Sequence, residues 1–433
     1  MLKPVVEVYV LWHPQDAAGA AVAGELAEHF HGGVFTSLLA GSIEVYMRSA
    51  GWRSGADAPR QIEWPGQATG AGFAAAQFVA VVPVLSMAML RAVNRAGDPW
   101  HTYFAEVAAA QAADPAHVRL FPLRQGVAPG GMLAQWLATS QFIAEPDPHA
   151  DLPEPALRCR DLVQGMAQWA SPVPGEQLRV FISHTKRQGT LDEPVAGLVA
   201  AVRSVFGSGR IANFYDAHDL QPGDDWDQAL RSGAASSALL ALRTDLYASR
   251  EWCQREMLTA KVHGMPVVVL DALSVGESRG SFLMDHTPRI PVRRYAQGAW
   301  GTDAIRRAIN LLADAWLHRV LWLRLREQAV GSSGLGRYWW APQAPEPSTL
   351  ARWLTAPHAV GGVVGGKAGP APGRAAFSGP RMPAQAAGSD LLILHPDPPL
   401  AADERGVLQD LIALAGYGQL DLTTPRLLAS RGA

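Results

Sequence analysis

Glu256 is the side chain in this sequence whose surroundings most favour chemistry. It lies in the segment REWCQREMLTAKVHG, whose spacing predicts a helix over residues 249–263. Positions 252, 253, 256 and 260 share one face of such a helix, so the carboxylate is expected beside Trp252, Cys253 and Ala260. Partial burial disfavours the charged form of a carboxylate, and a tuned carboxylate in a cleft is a candidate functional group. The alternative interpretation is a plain helix glutamate.

Two further polar segments precede this helix in the chain. The first, VFISHTKRQ, predicts a strand over residues 178–183 that ends at Ser183 and is followed by His184, Lys186 and Arg187. Because open α/β sheets bind ligands at the carboxyl ends of their strands, the basic pair is expected either to face a pyrophosphate or to remain solvated. The second segment, FYDAHDLQPGDDW, contains adjacent proline and glycine, which predict a sharp loop after the next strand.

These three segments, in this order, resemble the TIR (Toll/interleukin-1 receptor) domain family, especially its prokaryotic NAD-cleaving members. The resemblance covers the middle of the chain, residues 177–329. It implies an α/β fold of the flavodoxin-like kind, in which a parallel five-stranded sheet is flanked by helices. It also implies NAD as the substrate and no separate cofactor.

The resemblance assigns roles to individual residues. Glu256 carries over as the catalytic glutamate, because Trp252 precedes it at the family's spacing. Arg243 departs from the family, which often has a serine there, and is expected either to bind phosphate or to obstruct the family's ligand pose. The substrate-binding residues implied are Phe181, Ser183, His184, Lys186, Arg187, Asp216, Asp219, Trp226, Arg243 and Trp252. The loop residues implied to cover the cleft and contact neighbouring subunits are Leu220, Pro222 and Gly223.

The implied reaction is cleavage of the bond between nicotinamide and ribose. Positive charge develops on the ribose, and a nearby carboxylate stabilises that charge while it bonds the ribose hydroxyls. We expect an NAD glycohydrolase that yields linear or cyclic ADP-ribose and is activated by self-association of TIR units. It is expected to act in bacterial antiphage defence or cell-suicide signalling. A non-enzymatic TIR scaffold and a nucleoside deoxyribosyltransferase-like enzyme are the alternatives, because fold alone does not fix function.

The elements that must position these residues form two series of alternating strands and helices, which predict parallel sheets covered by helices. The predicted strands cover residues 5–11, 42–47, 77–85 and 118–122, and then 178–183, 211–216, 238–242, 266–271 and 290–295. The main predicted helices cover residues 17–30, 193–206, 249–263 and 303–328, and the last is expected to pack on the second sheet. A strand, a helix and a strand follow at residues 390–394, 403–415 and 420–422.

These series divide the chain into several expected parts. They are a second, TIR-like α/β domain (1–144), a linker with a short helix (145–176), the TIR domain (177–329), a flexible Gly- and Pro-rich linker (330–389) and a partial C-terminal α/β unit (390–433). The first domain is expected to be noncatalytic. Phe104 lies at the glutamate spacing from Trp100, and Glu106 falls two positions late.

Composition limits the partners of the chain. Lys plus Arg number 37 and Asp plus Glu 39, so no global positive field attracts nucleic acid or an anionic membrane. The apolar stretch 71–90 is interrupted by Gln77 and Pro83, which favours a buried strand beside a helix over a membrane span. Two cysteines and the lack of a signal-peptide pattern suit the cytoplasm, and the scattered histidines suit no metal site. The expected partners are NAD, other copies of the TIR unit and an activating partner that the sequence does not identify.

Overall fold

The computed structural model describes residues 3–31, 43–49, 59–66, 75–143, 154–185, 193–207, 214–215, 233–330, 338–355, 392–416 and 421–430. Its strands are β1 (Val6–Leu11), β2 (Ile43–Arg48), β3 (Phe78–Leu85), β4 (Val118–Leu120), β5 (Leu123–Arg124), β6 (Val180–Ser183), β7 (Phe214–Tyr215), β8 (Ala238–Arg243), β9 (Val267–Asp271), β10 (Arg289–Pro291), β11 (Tyr338–Trp340), β12 (Leu392–Leu394) and β13 (Asp421–Thr423). Its α-helices are α1 (Ala17–His31), α2 (Met87–Val93), α3 (Pro99–Ala113), α4 (Gly131–Trp136), α5 (Glu154–Ala170), α6 (Glu193–Gly207), α7 (Glu251–Val262), α8 (Thr302–Val330), α9 (Pro347–Thr355), α10 (Ala402–Leu414) and α11 (Pro425–Ser430).

The first of two compact units contains Met1–Leu178, Ala200–Asn213 and Val292–Gly331. Its sheet is parallel, in the order β2-β1-β3-β4. Every residue of β1 and β3 is buried, as is typical of strands that helices cover on both faces. β5 continues beside β3 after Pro122, a residue without an N–H donor. The predicted α/β class is confirmed for this unit.

The second unit contains Arg179–Val199, Phe214–Pro291 and Ser332–Ala433. Its five-stranded sheet is parallel, in the order β10-β9-β8-β6-β7. Numbered as the chain reaches them, these strands lie in the order 2-1-3-4-5, so the direction of the connections reverses between β6 and β8. In open α/β sheets, ligands bind at the carboxyl ends of the two strands where such a reversal occurs.

A third sheet lies within the second unit. β11, β12 and β13 pair in parallel in this order, and α9 packs Leu350 and Trp353 into a buried core with Ile393 and Leu422. β11 and α9 fall inside residues 330–389, which composition predicts to be a flexible linker. The structure differs from that prediction over residues 338–355. The Gly and Pro content of the whole segment masks the short apolar runs that form this core.

The long helix α8 clusters with the first unit, whereas the sequence predicts that it packs on the second sheet. Its Arg324 donates hydrogen bonds to the carbonyl oxygens of Ala170 and Ser171, at 2.7 and 2.8 Å, and α8 lies along α5. Periodicity correctly indicates an amphipathic helix. It does not say which of two sheets receives the apolar face, because both offer apolar surfaces.

The apolar stretch 71–90 contains β3 and the beginning of α2, a strand beside a helix. Within the described ranges, none of the helices combines the length and the apolar composition that crossing a membrane requires.

Two leucines test the placement of the second sheet. Leu240 in β8 is fully buried, whereas Leu414 at the end of α10 is 84% exposed. We expect Leu240→Ala to lower the free energy of unfolding by about 2–5 kcal/mol, because it removes buried methyl groups and leaves a cavity. Leu414→Ala makes the same chemical change in solvent and should stay within about 0.5 kcal/mol of the wild type. Urea unfolding followed by circular dichroism measures both, and equal losses would contradict this placement.

Candidate functional site

Helix α7 presents Glu256 on its buried face. Cys253, Met257 and Ala260 share that face and are buried with it. The face packs toward the sheet because α7 follows β8 and contacts it. Cys253 and Ala260 therefore lie on the same buried helix face as Glu256.

Trp252 lies at the edge of this face, and its side chain is less buried than those of Cys253 and Ala260. It is 37% exposed, and the guanidinium of Arg255 lies 5.0 Å from its ring centre. Arg255 also pairs with Glu251 one turn away. Because Trp252 belongs to the first turn of a helix that begins at the carboxyl edge of the sheet, its ring reaches solvent and receives a cation–π contact.

The Glu256 carboxylate ends a chain of three hydrogen-bonded side chains. The Ser183 hydroxyl donates to Glu256 Oε2 at 2.6 Å, and the Ser183 and Tyr247 hydroxyl oxygens are 2.7 Å apart. A serine hydroxyl has one hydrogen to donate. Since Ser183 donates that hydrogen to the carboxylate, Tyr247 must donate to Ser183. The direction of the chain is therefore from Tyr247 through Ser183 to Glu256.

Burial keeps this chain of hydrogen bonds away from bulk water. Tyr247 is fully buried, and Ser183 and Glu256 are only 1% and 6% exposed. Burial raises the pKa of Tyr247 well above its ordinary value of 10.0, helped by the nearby Cys253 thiol and Glu256 carboxylate and opposed by the Ser183 hydrogen bond. The phenol therefore keeps its proton at neutral pH and remains a donor.

The three side chains meet where the connections of the second sheet reverse. Ser183 is the last residue of β6, and Tyr247 lies in the short turn between β8 and α7. β6 and β8 are paired neighbours, with Ser183 opposite Ala241. Thus β6, the turn that follows β8, and the helix after that turn each contribute one member of the cluster.

Phe181 lies within β6 and His184 directly follows it, and the two side chains have different surroundings. His184 follows β6, is buried, and its Nδ1 lies 2.9 Å from the carbonyl oxygen of Thr185. A carbonyl oxygen only accepts, so Nδ1 carries the proton in this contact. Phe181 is buried inside β6, paired with Tyr215 and Leu239 of the neighbouring strands, where it packs the sheet.

Arg243 is tied to two carboxylates. It donates to both carboxylate oxygens of Glu277, at 3.0 and 2.6 Å, and to Asp271 at 3.2 Å. The hydrogen bonds to Glu277 raise the pKa of Arg243 above its ordinary value. Bidentate arginine–carboxylate pairs are strong and directional, so Arg243 fixes the loop after β9 against the end of β8. These contacts use three of the five N–H donors of Arg243, and the phosphate contact stays a prediction.

Asp245 fixes the same loop by accepting hydrogen bonds from the backbone of the loop. Its carboxylate accepts hydrogen bonds from the N–H groups of Ser274, Val275 and Gly276, at 3.0, 3.0 and 3.1 Å. The Ser274 hydroxyl adds a further bond at 2.7 Å. Arg243 and Asp245 together attach the loop after β9 to the carboxyl end of β8.

The other predicted site residues lie outside the described residues, and their roles stay predictions. They are Lys186, Arg187, Asp216, Asp219, Leu220, Pro222, Gly223 and Trp226.

Sequence reasoning missed Tyr247. The available signal is weak, since it consists of a tyrosine placed between a buried strand and the helix that carries the candidate carboxylate. Tyrosine hydroxyls that are buried usually find a hydrogen-bond partner, but which partner depends on the strand order. Ser183 was identified, although as a substrate contact and not as the donor to Glu256.

Glu256 lies four residues after Trp252, and the first unit has an apolar side chain, Phe104, four residues after Trp100. Phe104 is fully buried in α3 within the core of that unit, and Glu106 is exposed. The side chain at this position of the first unit is therefore part of the hydrophobic core.

Tyr247→Phe tests the buried phenol through pH. Because its pKa is raised, Tyr247 holds its proton more tightly in the folded than in the unfolded state. This difference adds to the free energy of unfolding below pH 10.0, the ordinary pKa, and the added stability is lost as the pH rises above that value. We expect the free energy of unfolding of the wild type to fall more steeply than that of the variant above about pH 10. At neutral pH the variant should lose about 0.5–1.5 kcal/mol, because Ser183 loses a donor. Parallel pH profiles in denaturant unfolding would contradict the assignment.

Comparisons with known proteins assign no family to the chain. No family model matches it, and no curated protein sequence matches it. The case for a function therefore rests on the geometry around Glu256 and on the motifs that surround it.

Proposed function

We propose that the protein cleaves the bond between nicotinamide and ribose in NAD, with Glu256 as the catalytic carboxylate. The observation that carries this proposal is the buried Glu256 carboxylate, held by Ser183 at 2.6 Å at the carboxyl ends of the strands where the sheet reverses. Buried carboxylates are costly unless they are hydrogen-bonded, and they concentrate at functional sites. A plain helix glutamate has no need of this environment.

The chemistry of glycosidic cleavage suits such a carboxylate. Positive charge builds on the ribose as the bond to nicotinamide lengthens, and a fixed negative group close to it stabilises the transition state. Nicotinamide leaves as a neutral molecule, so the reaction does not require a strong general acid. The hydrogen bond from Ser183 fixes Oε2 of Glu256 in place, and in this proposal the carboxylate faces the ribose of the bound NAD.

The fold and the motifs support a TIR-type domain in the second unit. The strand order 2-1-3-4-5 is that of flavodoxin-like sheets, which bind nucleotides where the order reverses. The segments around Ser183, Asp219 and Glu256 resemble the TIR family in the same sequence order. In this proposal the first unit is a noncatalytic relative, in which Phe104 takes the position of the carboxylate.

Substrate contacts and activation complete the proposal. His184, Lys186 and Arg187 follow β6 in the sequence, and in this proposal the basic pair binds the pyrophosphate of NAD. The loop that contains Pro222 and Gly223 is proposed to bring TIR units together and so to activate the enzyme. A cytoplasmic role in bacterial antiphage defence through loss of NAD is the biological setting that we propose.

The catalytic assignment is tested by two glutamates on one helix. Glu256 is buried, whereas the side chain of Glu251 is largely exposed. We expect Glu256→Gln to abolish nicotinamide release from NAD, because the amide keeps the shape but loses the charge that stabilises the ribose cation. The matched control, Glu251→Gln, should retain the wild-type rate. Concentrated full-length protein, with and without a crowding agent, is incubated with NAD and nicotinamide is measured by chromatography.

The outcomes separate the alternatives. Release that persists in Glu256→Gln with an intact circular dichroism spectrum would remove Glu256 from the mechanism. No release from the wild type under assembling conditions would favour a non-enzymatic scaffold. Exchange or hydrolysis of free deoxynucleosides, without NAD cleavage, would favour a deoxyribosyltransferase-like activity.

A further inference from the structure

Helix α7 is contacted closely at its C-terminal end by residues 338–355. Gly264, which ends the helix, has a φ of 66°, a conformation that glycine adopts without strain. A Cβ at Gly264 would lie 2.6 Å from the Cβ of Pro342 and 2.8 Å from its carbonyl oxygen. Both the backbone conformation and the close approach therefore require glycine at the point where the two segments meet.

A buried ion pair joins the last turn of α7 to the beginning of α9. Lys261 Nζ lies 2.9 Å from Glu346 Oε2, and the two side chains are 3% and 6% exposed. The same Nζ donates to the carbonyl oxygen of Asp285 at 2.7 Å. A buried ion pair of this kind is strongly destabilised when one partner is removed, because the other charge is left uncompensated.

Glu346 is itself fixed at the start of α9. Its Oε1 accepts a hydrogen bond from the Ser348 hydroxyl at 2.9 Å, and its carbonyl oxygen accepts from the N–H of Leu350 at 2.9 Å. A carboxylate at a helix N-terminus also interacts favourably with the helix dipole. Glu346 thus offers Lys261 a partner that is already ordered.

Trp353 makes a second connection to the same end of α7. Its indole Nε1 donates to the carbonyl oxygen of Val262 at 3.1 Å, and the side chain is buried. The last carbonyl groups of a helix have no partner within the helix. Trp353 supplies a donor for one of them. The segment 346–353 therefore makes both an ion pair and a hydrogen bond with the end of α7.

We propose that residues 338–355 form a clamp on α7 that positions Glu256 for the reaction, with Glu346 and Trp353 as positioning residues. This inference rests on the proposed function of Glu256. Lys261 and Glu256 belong to one helix and are separated by about 7.5 Å along its axis, so the carboxylate follows any displacement of the clamped end. Small displacements matter, since a misplacement of about 1 Å lowers a rate by about 100-fold.

The kinetic test uses the full-length protein with three single substitutions. Glu346→Gln removes the charge that faces Lys261, and Trp353→Phe removes only the indole donor. Arg352→Gln changes an exposed residue of the same helix and is the control. We expect kcat for nicotinamide release to fall by about 10- to 100-fold in the first two variants, with KM nearly unchanged. The control should match the wild type.

A second readout is independent of turnover. Cys253 is buried on α7, on the same face as Glu256, and Cys159 is buried in the first unit. The rate of alkylation by N-ethylmaleimide is measured at each thiol by peptide mass spectrometry. We expect Cys253 to react faster in Glu346→Gln and Trp353→Phe than in the control, because α7 is less firmly held, while Cys159 stays at its wild-type rate.

A rescue variant separates positioning from loss of folding. Lys261→Met combined with Glu346→Leu replaces the ion pair by apolar groups, a change that is often neutral or stabilising. We expect kcat and Cys253 protection to recover relative to Glu346→Gln alone. Equal kcat and equal Cys253 labelling in Glu346→Gln, Trp353→Phe and the control would overturn the clamp. Faster Cys253 labelling in a protein that releases no nicotinamide would support the clamp and overturn the proposed catalytic function instead.

Discussion

The hydrogen bond from Ser183 to Glu256 joins the first strand of the second sheet to the helix that follows its third strand. A buried carboxylate needs such a donor, because burial without one is costly. The need for a donor to Glu256 restricts how the surrounding strands and helix are arranged. β6 and β8 must be neighbours, α7 must place Glu256 toward the sheet, and Tyr247 must donate to Ser183 from the intervening turn. The position of the site and the direction of its hydrogen bonds therefore depend on the strand order.

Contacts on opposite sides hold this arrangement. At the carboxyl edge, Arg243 and Asp245 fix the loop after β9 through Glu277 and a run of backbone N–H groups. At the far end of α7, Glu346 and Trp353 bind the last turn. The site is thus supported by residues from the sheet, from its loops and from a segment far along the chain. Preorganised groups of this kind are effective catalysts because they do not reorganise during the reaction.

The sequence predicts most strands and helices near the site because buried parallel strands are continuous apolar runs and α7 has helical spacing. It also predicts the buried position of Glu256 beside Cys253. It does not predict the donor to Glu256, since this depends on which strands are neighbours. Trp353 lies in a segment of high Gly and Pro content, and local patterns do not show that α8 packs along α5. These features are set by tertiary packing, which local patterns do not encode.

The most direct test of the central claim locates NAD on the protein. Hydrogen–deuterium exchange of the full-length Glu256→Gln variant is measured with and without NAD, because this variant is expected to hold the substrate without cleaving it. The account predicts slower exchange in residues 180–185 and 247–257, at the carboxyl ends of β6 and β8. Unchanged exchange there at saturating NAD, or protection confined to the first unit, would contradict the account.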